Sequence, residues 1–330
     1  MENRNRAESF ALPIVGGLVV LVTLLGLIGT AIRDPKPHDI PVGIVGPAPA
    51  AQQLSAGVGA SAPGAFQFTA YASEALARTA LDNRDIVAAL VLGNPPRLIV
   101  AQAAGEALTA VPTAIFTAVF AAQGAQLSVE TIHPYSSGDP HGLVLFFLVL
   151  ATIVSTFVVQ ILLFVRARTA GFAAWIVMST VWALAAGLAG VGMAAWITGG
   201  YDTEQAVAMG GLIALAALAV GTVTCGLARL IGAPGLGVAG LVVVLLNLIS
   251  SGGPAGEQFL PDYYHWISPW MVAGQLFISL RGVLYFNQAG VATPVLVMAG
   301  TFVAGLILML LAELARGRAR SAALQPAAAH

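Results

Sequence analysis

Cysteine and lysine are almost missing from this chain of 330 residues: Cys225 is the single cysteine and Lys36 the single lysine. One thiol can neither close an intrachain disulfide nor build a cysteine metal cage, and Cys225, inside an apolar run, reads as a small buried hydrophobe. With no lysine after a glycine-rich turn, the chain carries no Walker-type nucleotide site of its own. Its most glycine-rich stretch, GAPGLGVAG at 232–240, leads into an apolar run and reads as a turn with close helix packing. Charge is scarce as well, at 9% of residues with a net charge of -1, and the basic residues are scattered. They form no phosphate-tracking stripe, so nucleic acid is not an expected partner. HExxH, GxSxG and a buried carboxylate pair are all absent, so neither enzymatic activity nor a cofactor is expected of this chain. His133, Asp139 and His141 lie close in sequence, but the prolines and turn residues among them point to a linker, not a metal site.

What is present is hydrophobic length: 58% of residues are hydrophobic and the mean hydropathy is +0.87. Such a composition predicts a polytopic α-helical membrane protein. Six apolar runs, at 10–32, 142–165, 172–197, 206–227, 236–250 and 291–314, predict six transmembrane helices. The first is too long for a signal peptide's apolar core of about 7 to 15 residues, so an uncleaved anchor is expected after a short cytoplasmic segment, 1–9. Lysine and arginine near helix ends stay in the cytoplasm. Arg4, Arg6, Arg166, Arg168, Arg229, Arg316, Arg318 and Arg320 then fall inside, against Arg33, Lys36 and Arg281 outside, which places both termini in the cytoplasm of a plasma-membrane protein. A tail at 315–330, rich in alanine and arginine, is expected to be disordered.

The segment 33–141 has a different period and predicts a small extracytoplasmic α/β domain between the first and second spans. Ile40, Val42 and Ile44 alternate in IPVGIVG, as do Phe66 and Phe68 in FQFTAY. Ser73 reads as the N-cap of a short helix ending by Asn83, and Asn94-Pro95-Pro96 turns one strand back on the next. A helix over 106–123 would place Leu108, Ile115 and Val119 on one side, and LSVETI would close the domain as a strand. The small polar residues at 51–65 predict a mobile loop.

Within the predicted five-helix bundle, 142–314, one stretch fits poorly: FLPDYYHWISPWMVAGQLFISLRGVLYF, within a segment spanning 257–286. Tyr263, Tyr264, Trp266 and Trp270 favour the headgroup level, and Pro261 and Pro269 break the helix there. Arg281 costs at least about 2.5 kcal/mol at a bilayer centre. A re-entrant or interfacial segment on the outer side resolves the conflict by letting Arg281 reach the interface. A seventh full span would instead put the C-terminal arginines outside. Gln160 and Asn247 are the main polar groups within the spans, and such groups commonly bond neighbouring helices. No acid lies mid-span, which disfavours proton coupling. Gly187, Gly190 and Gly192 suit close helix packing or a homodimer.

An anchor, then IPVGIVG and SEALARTALDNRDIVAALVLG opening an outer domain, then five spans with an aromatic, proline-containing segment ending SLRGVLYF before the last, resembles the membrane subunits of type-2 ABC exporters. The branch that includes phage infection protein-like membrane proteins is the most similar. The resemblance implies a homodimer in the lipid bilayer, working with a separate ATP-binding subunit to export a hydrophobic or amphipathic compound, with the outer helices capping the exit path. Tyr263, Tyr264, Trp266, Pro269, Trp270 and Arg281 would then be outer-gate or interface residues. Family members usually carry a coupling helix in the first inner loop; here that loop is only RARTAG, 166–171. The alternative is a non-transport membrane protein whose outer domain binds a partner.

Overall fold

The computed structural model describes residues 36–167, 170–253 and 255–324, together with scattered helical positions between Val15 and Gly29. The first predicted span, the N-terminal segment and residues 325–330 therefore lie largely or wholly outside the described residues.

Strands β1 (Ile40–Val45), β2 (Phe66–Tyr71), β3 (Ala88–Val91), β4 (Arg97–Ala101) and β5 (Ser128–Ile132) form one sheet in the order β2-β1-β3-β4-β5. Only the β3–β4 pair is antiparallel, made by the turn at Asn94-Pro95-Pro96. Because β1 and β2 run parallel, a crossover must join them, and helix α1 (Ala48–Ser61) occupies the stretch expected to be a mobile loop. Alanine supplies the propensity, while Leu54 and Val58 pack against the sheet. Helix α2 (Glu74–Asp82) starts where Ser73 accepts a hydrogen bond from the Leu76 amide. Helix α3 (Glu106–Ala122) turns Leu108, Phe116 and Phe120 into the sheet, with Ile115 and Val119 at the margin. Ile40, Val42, Leu90 and Leu98 meet α1 and α3 on one face, and Ala89, Ile99 and Ala101 meet α2 on the other. Both sheet faces are thus covered.

Among the described residues, five helices are long and apolar enough to cross a membrane: α4 (Leu143–Arg166), α5 (Phe172–Thr198), α6 (Thr203–Ile231), α7 (Ala233–Ser250) and the first part of α10 (Ala292–Leu324). Asp139 accepts from the Leu143 and Val144 amides at the start of α4, and Asp202 caps α6 through the Gln205 amide. In α7 the backbone widens to a π-helix over Gly240–Leu246. The helix α10 continues through Leu324, so residues 315–324, expected to be disordered, are helical; their alanines and arginines are good helix formers. Glu313 pairs with Arg229, and Arg316 donates to the Arg229 carbonyl. With the end of α4 at Arg166, these charges share one end of the bundle, since Arg229 also donates to Ala170 between α4 and α5.

Between α7 and α10 lie a short helix α8 (Asp262–His265) and α9 (Val272–Tyr285), with a bend of 72° between the two arms of the segment. Both ends of α9 meet the same end of the bundle. At its start the Ala273 amide donates to Asn247 Oδ1 at 2.6 Å, close to the end of α7. At its finish the Leu284 carbonyl accepts from Gln205, at the start of α6. The far ends of α6 and α7 are joined at Gly232, on the opposite side. Of the three span glycines, Gly187 lies against the backbone of Gly210, where an added Cβ would come to 2.6 Å, whereas Gly192 faces open space.

Candidate functional site at the junction of domain and bundle

The apolar stretch that carries Arg281 is where the α/β domain meets the helices. Among the described residues of α9 nearly every side chain is buried, and Arg281 is only 6% exposed. Its side chain ends against protein, at the contact with the α/β domain. Its Nη1 donates at 2.7 Å to the Ala104 carbonyl, in the turn leading to α3, and its guanidinium lies 4.1 Å from the Phe277 ring centroid. The protein fold, not water, shelters this charge.

A second arginine comes from the domain side. Arg84 donates from Nη1 to the carbonyls of Ile278 and Ala289, at 3.0 and 3.2 Å. Glycine makes the space: a Cβ on Gly282 would lie 3.2 Å from Arg84 Nη1, and one on Gly290 3.4 Å. Gly290 also has φ +70°, a backbone that favours glycine. Arg84 itself is held at φ 68°, which costs a residue with a side chain roughly 1 kcal/mol or more and which the surrounding contacts sustain. Burial, with the Arg281 charge adding to it, pushes the Arg84 guanidinium down to about 10, so it remains charged at neutral pH.

Two phenylalanines clamp the domain from opposite faces of its sheet. Phe286, just past α9, is buried with Leu81, Ile86 and Ile99, and its ring lies 5.2 Å from the Arg84 guanidinium carbon. Phe259 packs on the other face, where the Gln258 carbonyl accepts from the His38 amide. Between these clamps is a cavity of about 160 Å³, lined by Arg84, Arg281, Glu257, Ser250, Ser268, Gln275 and Phe277 among others. Glu257 accepts from the Ser268 hydroxyl at 3.0 Å. Among the described residues it makes no ion pair with either arginine. Tyr135, whose pKa is raised by burial of its hydroxyl, lies close enough to feel the Arg281 charge.

The other expected residues separate. Trp266, Trp270 and Tyr263 are exposed, Trp266 at 86%, as interface rings would be. Tyr264 is buried against Leu260, with Leu246 and Ile249 packed beside it, so it belongs to a small core and not to the headgroup belt. The Pro269 carbonyl accepts from Gln275. Gln160 is buried beside Ser179, which accepts from its Nε2 at 3.3 Å, while its Oε1 is unpaired. Asn247 caps the buried start of α9; Asn247→Ala leaves the Ala273 amide without a partner and should cost about 1–3 kcal/mol, read as a lower unfolding midpoint in detergent. His133 contacts Asp82 at 2.8 Å, His141 contacts Glu106 at 3.2 Å and Asp139 caps α4, so the three do not converge. No group of three or more metal-ligating side chains occurs among the described residues.

Two further recesses lie away from the junction. A groove of about 490 Å³ between α4 and α5, lined by Phe147, Leu148, Trp182 and Met193, is mostly apolar and opens to the side of the bundle. A crevice of about 720 Å³ lies beyond the carboxyl ends of β1 and β3, lined by Pro47, Leu54, Val58, Leu92, Phe120 and Gln123. Strand β1 sits between β2 and β3, with α1 and α2 on opposite faces of the sheet, so this is a switch point of the kind where open α/β sheets take ligands. No family model matches the chain, no curated protein matches it in sequence and no solved structure matches it in fold.

Proposed function

We propose that the chain is the membrane subunit of an exporter for a hydrophobic or amphipathic compound, resembling type-2 ABC permeases and acting as a homodimer with a separate ATPase. In this reading six helices cross the plasma membrane, both termini are cytoplasmic, and the α/β domain and the bent aromatic segment lie outside. The carrying observation is α9: an apolar helix buried in the bundle whose two ends return to one side. Irregular backbone at membrane depth is tolerated where protein shelters it or where it lines a path. The gathering of Arg166, Arg229 and Arg316 at the opposite end supports the orientation. The apolar groove between α4 and α5 would admit a substrate from the lipid. Purification from the native membrane tests the reading: an ATPase should copurify, and deletion should leave an export defect. Absence of both would overturn it.

A second reading, an outward-facing binding module held by the bundle, is favoured by the crevice at the β1–β3 switch point and by the short inner connections around 167–171 and Gly232. A photoactivatable apolar probe, added to the full-length protein in vesicles, separates the two. Labelling of the α4–α5 groove supports transport, and labelling confined to the crevice supports the binding module.

A further inference from the structure

One buried and one half-buried guanidinium group, those of Arg281 and Arg84, share one small cavity, and neither has an acid partner among the described residues. Like charges brought together in a low-dielectric site repel, and this arrangement is unfavourable unless an anion joins them. Burial is nearly complete for Arg281, at 6% exposure. Backbone carbonyls use only part of their donor capacity. An arginine carries five N–H donors; Arg281 uses Nη1 toward Ala104, and its buried Nε has no partner. Arg84 directs Nη1 at Ile278 and Ala289 and makes no other hydrogen bond among the described residues. Donors therefore remain, in a fork geometry that matches phosphate oxygens.

We propose that this junction cavity binds a phosphate-type oxyanion, with Arg84 contributed by the α/β domain and Arg281 by the membrane segment. At about 160 Å³ the cavity admits one phosphate group and some water, with no room for a large organic body. The group is thus either inorganic phosphate or the phosphate of a lipid headgroup whose chains stay outside. Glu257 lines the same cavity and opposes the anion, but the Ser268 hydroxyl engages its carboxylate, and two positive charges outweigh one negative. Because one arginine comes from each unit, the bound anion would fasten the domain to the bundle. The inference stands independently of whether the chain exports anything.

The full-length protein in phosphatidylcholine nanodiscs is titrated with inorganic phosphate, and in parallel is purified with added phosphatidic acid and weighed by native mass spectrometry. Binding of inorganic phosphate, weakened about 10-fold or more by Arg84→Gln, supports a soluble anion. Retention of phosphatidic acid that Arg84→Gln abolishes, without binding of inorganic phosphate, supports the headgroup. Should Arg84→Gln fail to fold, Glu257→Gln decides: removing the opposing charge should tighten whichever ligand binds by several-fold. If neither ligand binds the unmodified protein, or if binding ignores both substitutions, the arginines serve only to dock onto carbonyls and the proposal falls.

Discussion

Gly282→Val is expected to separate the α/β domain from the helices. A Cβ at this position would meet the Ala289 carbonyl at 2.8 Å and Val291 Cγ2 at 2.7 Å, with Arg84 Nη1 at 3.2 Å. The first of these is backbone, so a rotamer change cannot relieve it. The turn carrying Ala289 must move, and with it one of the two carbonyls that accept from Arg84. Overpacking of this kind costs about 1–3 kcal/mol, and freeing a guanidinium inside the junction adds to it. The turn at 286–290 should become sensitive to protease, and amides of α2 should lose hydrogen-exchange protection. The bundle core around Ile213 and Ala216 lies away from the junction and should keep its protection.

Gly305→Leu should damage the bundle itself. Helices α6 and α10 approach closely at this point: a Cβ on Gly305 would come to 2.2 Å from Thr222 Oγ1 and 2.6 Å from the Val223 amide nitrogen. The reciprocal contact is as tight, with a Cβ on Gly226 at 2.6 Å from Leu308 Cβ. Small residues let the two backbones touch, which is how helices gain packing energy where lipid supplies no hydrophobic drive. A leucine would push α10 outward and break the packing that lets Glu313 reach Arg229. The expected result is a loss of about 3 kcal/mol or more, seen as failure to survive detergent extraction as a monodisperse species. Gly300→Leu, where nothing lies within 4 Å of the added Cβ, should leave extraction unchanged.

Several of these features could be read in the sequence. Alternation in IPVGIVG and FQFTAY located β1 and β2, Ser73 marked the start of α2, and unbroken apolar runs located the five described spans. Arg281 stood out because a charge in an apolar run needs a reason. Its partner did not, since Ala104 lies 177 residues away and a backbone carbonyl has no sequence signature. Arg84 passed unnoticed for the opposite cause: an arginine in a polar segment is ordinary, and only the fold carries it against α9. The residues of α1 looked like a loop because parallel pairing of β1 with β2, which requires the crossover helix, is invisible to a local reading. Tyr264 could not be told from Tyr263 by composition, as only the turn of a short helix puts one inward and the other out.

The account turns on which side of the membrane each part occupies, and cysteine labelling tests this most directly. The single native thiol, Cys225, is buried, so background reaction should be low. Single cysteines at Gln123 in the α/β domain, Ala292 after α9 and Gly317 at the other end of α10 are exposed in turn to a membrane-impermeant maleimide on intact cells. Labelling at 123 and 292, with 317 reacting only after permeabilisation, is the predicted result. Labelling at 317 in intact cells together with protection at 292 would mean that α9 crosses the bilayer, and would contradict the account.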